Sequence, residues 1–354
     1  MSHDHSPIES AYPESAYVRD ILDQPRAIRD TIAVLAESQD LNDFTKGLSA
    51  TRYQSIVLTG MGNSFHILTP LYLKLIELGF SVLLAETSEL IHFMPRLLGN
   101  RTVLIVVSQS GRSGEIVRLL SMKGEGATIL GVTNDPASPL AMESDIVALI
   151  QAGPEASVAC KTTTASLAAL AWIGEYMATT DVSSTKDRLE PIAPAVERYL
   201  AYWKNHVNTI SAELRDIRHF FVTGRGPSLA ASGVGGLLMK EAAHFHSEGL
   251  SSAAFRHGPF EMLSEACFVL VFAGDDQVEP LNRALVEDIR AAGAKAVLAG
   301  PKADAAAFRL SAVGHQIRPI LEMLPLQMTS LALAQMAGHE AGKFEHIAKV
   351  TTAE

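Results

Sequence analysis

Two short stretches of the 354-residue sequence place hydroxyl groups where an anion could be held. Gly60-Met61-Gly62-Asn63-Ser64 follows the apolar run Ile56-Val57-Leu58-Thr59, and Ser108-Gln109-Ser110-Gly111-Arg112-Ser113 follows Val103 to Val107. In a parallel α/β sheet, ligands bind beyond the carboxyl ends of the strands, where loops lead into helices. A helix N-terminus offers unpaired N–H groups and the positive end of its dipole, so such a loop suits one phosphate monoester. Serine is also a good helix cap, and either loop alone would be read that way. Two at adjacent strand ends favour the phosphate. Gly60-x-Gly62 is not a dinucleotide fingerprint, because no third glycine follows at the required place and no acidic partner is clearly positioned.

Proton chemistry has its own candidates. Glu241 stands on an apolar stretch within Met239-Lys240-Glu241-Ala242-Ala243-His244-Phe245-His246, and His257 lies in Phe255-Arg256-His257-Gly258-Pro259. Glutamate and histidine can move protons near neutral pH if burial raises the carboxyl pKa. The plainer alternatives are a solvated or ion-paired helix residue and a structural turn histidine. Lys349, in Ala348-Lys349-Val350-Thr351-Thr352-Ala353-Glu354, would ordinarily be solvated; held near a sugar carbonyl, its amine could form a Schiff base. His244 and His246 would suit a metal only on extended backbone, so they are read as packing or surface residues, and His3 and His5 as solvated. No metal and no cofactor is expected. The sequence contains no GxxxxGK[ST], GxSxG or HExxH motif, which removes the usual support for nucleotide hydrolases, serine hydrolases and zinc proteases.

Composition narrows the classes further. The length suggests two domains, and 47% hydrophobic with 19% charged residues is a folding composition. Twenty-nine basic against 39 acidic side chains leave a net charge of −10, which disfavours nucleic acid as a partner. Cys160 and Cys267 lack paired spacing and are expected reduced and buried. The opening MSHDHSPIES has no signal-peptide pattern, and the longest charge-free run, Tyr53 to Leu73, is broken by polar residues and Pro70. A cytoplasmic protein with no membrane partner is expected.

These residues need a scaffold. One or two helices are expected from Tyr17, a strand from Ser55, and then one long helix through Leu78. Further strand runs at Val82-Leu83-Leu84, Val103 to Val107 and Thr128 to Val132 alternate with helical stretches, the signature of a doubly wound parallel sheet. The pattern then repeats. Ile56 to Ser64 reads against Phe220-Phe221-Val222-Thr223-Gly224-Arg225-Gly226-Pro227-Ser228, Val103 to Val107 against Cys267 to Val271, and Gly126-Ala127 against Gly293-Ala294, at nearly one spacing. The chain is therefore read as a duplicated α/β unit, with Ser166 to Ala178 and Leu189 to Val207 supplying linking helices. In the second copy Phe272-Ala273-Gly274-Asp275-Asp276 replaces the serine loop, and two carboxylates would repel phosphate, so one phosphate site per chain is expected.

Taken together, the motifs resemble the sugar isomerase (SIS) domain family, in the tandem form of the isomerase half of glucosamine-6-phosphate synthase, from about Asp20 to Glu354. The first glycine loop, the SQSGET-like serine loop, the KHGP-like turn at His257 and the terminal AKSVTVE-like segment carry the resemblance. It implies two flavodoxin-like SIS domains at 17–190 and 191–340, after a loose tail at 1–16 and before a C-terminal tail at 341–354 that closes the active site. Ser64, Ser108, Gln109, Ser110 and Ser113 would hold a hexose 6-phosphate, and Gly62, Val158 and Ala159 would line the sugar site. Glu241 would shuttle a proton between C1 and C2. His257 would assist ring opening from the neighbouring subunit of a homodimer with shared sites, and Lys349 would meet the C2 carbonyl.

The sequence departs from the synthase in three ways. It opens Met1-Ser2-His3 with no glutamine-hydrolysing domain, so glutamine is not expected as nitrogen source. The additional acid and lysine of the catalytic helix fall at Val234 and Leu238, and Arg112 replaces the loop's acid, which would add positive charge beside the phosphate. The expected activity is therefore deamination of glucosamine 6-phosphate to fructose 6-phosphate and ammonia. The alternatives are a deglycase acting on 6-phosphorylated fructosamine or glucoselysine, and a non-catalytic sugar-phosphate sensor.

Overall fold

The computed structural model describes residues 15–48, 55–99, 101–346 and 348–351. His3 and His5, and most of the tail expected at 1–16, lie outside them. Three helices come first: α1 (Ala16–Leu22), α2 (Gln24–Glu37) and α3 (Gln39–Leu48). Ser15 caps α1 by accepting from the Val18 N–H at 3.2 Å, and Pro25 opens α2, a position where a missing N–H costs nothing.

The first sheet then alternates strand and helix: β1 (Ser55–Gly60), α4 (Asn63–His66), α5 (Thr69–Glu77), β2 (Val82–Glu86), α6 (Thr87–Phe93), β3 (Thr102–Val107), α7 (Gly114–Met122), β4 (Thr128–Thr133), α8 (Pro139–Glu143) and β5 (Ile146–Leu149). All its pairings are parallel, in the order β2-β1-β3-β4-β5. That is the flavodoxin-like winding, with its switch point between β1 and β3. The single long helix expected after β1 is two pieces: Pro70 lies in the first turn of α5, where the ring would obstruct a continuous helix from Asn63.

Four helices lead to the second sheet: α9 (Lys161–Thr179), α10 (Val182–Leu189), α11 (Ile192–Leu200) and α12 (Trp203–Glu213). The second unit comprises β6 (His219–Gly224), α13 (Leu229–Ala243), β7 (Ser247–Ser251), α14 (Ser252–Phe255), β8 (Cys267–Phe272), α15 (Glu279–Ala291), β9 (Lys295–Ala299) and α16 (Arg318–Ala337). Its strands are again parallel, in the order β7-β6-β8-β9. β6 repeats β1 and β8 repeats β3, so the duplication read from the sequence is a duplication of structure.

Alternation along the strands divides the core. Ile56, Leu58, Val103, Ile105, Phe220, Val222, Phe268 and Leu270 belong to one buried cluster shared by both sheets with α9, α13 and α16. Val57, Leu104 and Ile129 face a separate layer under α6 and α7, and Phe221, Val269 and Val271 another under α15. Each such side chain, fully buried, contributes about 1.5–3 kcal/mol. With one continuous inner core, α13 of the second unit is held against the open strand ends of the first. Cys160 and Cys267 are free thiols and buried, as expected.

Candidate active site

The serine loop leaves β3 at its carboxyl end and is braced internally. The Ser108 N–H donates to the Val132 carbonyl at 3.0 Å, and the Gly111 N–H donates to Ser108 Oγ at 3.1 Å. Gly111 has φ +61, and a Cβ there would collide with the Ser138 side chain, so the turn requires glycine. Ser113 stands at the N-cap of α7 but makes no capping hydrogen bond. Ser64, in the short α4, is not a cap either. The reading of these serines as helix caps therefore fails for both.

A cavity of about 410 Å³ brings the two loops together. Gly62, Asn63 and Ser64 line it after β1, and Ser108, Gln109, Ser110 and Ser113 after β3. Ala159 joins from the loop before α9, Leu237 and Glu241 from α13, and Lys349 and Thr351 from the C-terminal tail. Burial pushes the Glu241 carboxyl up to about 7, the condition the sequence set for proton transfer near neutrality. Leu237 and Glu241 are one turn apart and share a helix face. Val234 and Leu238 are buried in the core.

The tail lies over the same opening. The Gly342 N–H donates to the Ala242 carbonyl at 2.9 Å, and the Gly114 N–H, at the start of α7, donates to the Thr351 carbonyl at 3.2 Å. Lys349 Nζ donates to the Glu155 carbonyl, to Glu155 Oε2 at 3.1 Å and to the Ser157 carbonyl at 2.8 Å. The ordinary expectation of a solvated terminal lysine does not hold.

Other candidates fall elsewhere. Val158 is fully buried in the core and is absent from the cavity wall, unlike its neighbour Ala159. His257 is exposed on the turn after α14, its N–H bonded to the Ala254 carbonyl at 2.9 Å, and does not line this cavity. Arg112 does not bring its charge to the serine loop's interior. Its guanidinium donates to Asp135 Oδ2 at 2.7 Å and to the Ala137 carbonyl at 2.9 Å, and it holds the Asp135 carboxyl below the usual range. His244 takes a left-handed conformation at the end of α13 and stacks on His339 at 4.7 Å. No three metal-ligating side chains converge among the described residues.

Two lining residues, Asn63 and Glu115, and one residue bonded to the lining Lys349, Glu155, escaped the sequence reading. Asn63 adjoins Ser64, and Glu115 brings a second buried carboxyl from the first turn of α7. Glu155 caps α9: its Oε1 accepts from the Cys160 N–H at 3.0 Å and the Thr162 N–H at 3.1 Å. Its signal was available, since Gly153-Pro154-Glu155 follows the last strand of the first unit and precedes a helix.

Among the described residues no helix is long and apolar enough to cross a membrane. Comparison with known proteins agrees with the fold and the repeat. The chain is 28% identical over 352 residues to the glutamine–fructose-6-phosphate aminotransferase (isomerizing) of Pyrococcus horikoshii, a match that covers 96% of this chain and 58% of that one. It thus spans little more than half the length of that relative. The C-terminal domain of glucosamine-fructose-6-phosphate aminotransferase from Francisella tularensis superimposes with a TM-score of 0.80 at 22% identity, over 95% of this chain and 99% of that one. Glucosamine-6-phosphate deaminase from Thermotoga maritima does so with a TM-score of 0.74 at 17% identity, over 96% and 100%. The SIS domain matches twice, at residues 51–173 and 213–337, and the chain belongs to the SIS domain family, in tandem form.

Proposed function

We propose that this chain is a phosphosugar isomerase that deaminates glucosamine 6-phosphate to fructose 6-phosphate and ammonia. The observation that carries the reading is the single cavity shared by two hydroxyl loops, a half-buried glutamate with a pKa near 7 and the tail lysine. Ser64, Ser108, Gln109, Ser110 and Ser113 bind the 6-phosphate, far from the reacting carbons, and so orient the open-chain sugar. Glu241 takes the proton from C2 and returns it to C1, which converts the amino aldehyde to a 2-imine. Water adds at C2, ammonia leaves and the ketone remains. Lys349 meets that C2 position, and His257 assists ring opening from the partner copy in a homodimer.

The test is ammonia release from glucosamine 6-phosphate by the purified protein, with Glu241→Gln beside it. Release that disappears in the variant is the expected result. No release from folded protein that fructose 6-phosphate stabilises would overturn the reading. One observation favours a second reading, a deglycase acting on a 6-phosphorylated fructosamine: all three Lys349 donors are already taken by protein oxygens. Lys349→Ala separates the two. Lost ammonia release supports the deaminase, and retained cleavage of the phosphorylated fructosamine supports the deglycase.

A further inference from the structure

An ammonium has three donors, and Lys349 uses all of them on one short loop. The Glu155 side chain opposite is fully buried, and its two oxygens serve different partners. Oε1 accepts the two backbone N–H groups at the start of α9; Oε2 accepts from Thr162 Oγ1 at 2.7 Å and from the Lys349 ammonium. The same loop grips the tail a second time, where Ser157 Oγ donates to the Gly342 carbonyl at 2.7 Å. Gly342 has φ +77, and a Cβ there would collide with the Ser157 hydroxyl and the Tyr17 ring. One carboxylate thus links the N-terminus of α9, the loop that carries Ala159, and the tail that closes the cavity.

We propose that Glu155 is a positioning residue for the reaction, holding the Lys349 ammonium at the cavity wall so that tail closure and placement of the sugar-side loop occur together. The inference rests on the deaminase reading for its catalytic consequence and on geometry alone for its structural one. A buried ammonium without its counter-charge is costly, so removal of the carboxylate releases Lys349, and with it the end of the tail. A helix cap alone would need only Oε1.

The direct test is acylation of Lys349 by limiting N-hydroxysuccinimidyl acetate, read by peptide mass spectrometry against the exposed Lys343. In the wild type Lys349 should react slowly. In Glu155→Gln it should react at least about tenfold faster, the loss expected for a charged hydrogen bond, with Lys343 unchanged. Thr162→Val, which loosens the α9 end without removing the charge pair, should lower Tm and leave Lys349 slow. If Glu155→Gln does not fold, Glu155→Asp withdraws the carboxylate by one methylene and should raise Lys349 reactivity by less. Equal reactivity in the wild type and the folded variant overturns the proposal. The second arm is a double-mutant cycle on kcat/KM for ammonia release. Glu155→Gln should cost about 10–100-fold, and nothing further on the residual turnover that Lys349→Ala leaves, whereas additive losses overturn the catalytic role. A wild type with no turnover would sink the deaminase reading and leave the acylation result to decide the role of Glu155.

Discussion

The two halves of this chain use one scaffold and treat its open strand ends in opposite ways. In the first, Ser64 after β1 and the serine loop after β3 line an accessible cavity. In the second, the matching Ser228 after β6 donates to Glu322 Oε1 at 2.7 Å, a fully buried carboxylate from α16. The neighbouring loops are tied to each other. Arg225 Nε donates to Asn282 Oδ1 at 3.2 Å, Asn282 Nδ2 donates to the Ala273 carbonyl at 3.0 Å, and Asp275 accepts from the N–H groups ahead of α15. The second half ties the serine that matches Ser64 to its own buried acid, and lends α13, with Glu241, to the cavity of the first. Duplication gave both halves strand-end loops with a cavity beside them, but the second half's cavity, of about 320 Å³, is lined by Asp275 and Asp276 in place of serines, which disfavours an anion there.

That comparison can be broken at several points. The largest effect belongs to Glu241→Gln, which should lower ammonia release about 10³-fold, within the range for loss of a general acid-base group. In the wild type, kcat/KM should rise with pH through about 7 as this carboxyl ionises. Deamination unaffected by the substitution would place the proton transfer elsewhere.

Next is the buried acid of the second half. Burial pushes Glu322 up to about 7, with Ser228 partly opposing. A folded-state pKa raised above the 4.5 ordinary for a glutamate means that the native state binds the proton more tightly. The Glu322 contribution to stability is therefore fully present below about 4.5 and is lost as pH rises through about 7, on the order of 3 kcal/mol. Glu241 contributes in the same direction. Urea unfolding of Glu322→Gln should show a reduced loss of stability between pH 5 and pH 8 relative to wild type, and an unchanged slope would contradict the burial argument.

The serines sharpen the comparison further. Ser64→Ala or Ser110→Ala should raise KM for hexose 6-phosphate about 10–100-fold with little change in Tm, as lost hydrogen bonds to a charged group do. Ser228→Ala should do the reverse: KM unchanged, and stability lowered by about 1–3 kcal/mol, because Glu322 Oε2 already lacks a hydrogen-bond partner among the described residues and Oε1 would join it. The smallest effect is expected for Arg112→Ala, less than about twofold in KM, since Asp135 and Ala137 already hold that guanidinium away from the cavity.

What was legible in the sequence follows from how each element is buried. β1, β3, β6 and β8 are central strands covered on both faces, so they stand out as continuous apolar runs. β5 and β7 are edge strands; Ser247-Glu248-Gly249-Leu250-Ser251 has no apolar pattern and is a strand only because β6 lies beside it. The two serine loops were readable because serine and glycine after a buried strand have a local cause. The Lys349–Glu155 pair was not, since its partners are 194 residues apart and neither neighbourhood is unusual in composition. Val158 is buried in the core, beside the lining Ala159, since a resemblance names a position without saying which way its side chain points.

The central claim is that each chain binds one sugar phosphate, at the serine loops of the first half. Calorimetric titration of the purified protein with fructose 6-phosphate measures it directly. One equivalent bound per chain, lost in Ser64→Ala and retained in Ser228→Ala, is the predicted result. Two equivalents per chain, or binding that depends on Ser228, would contradict it.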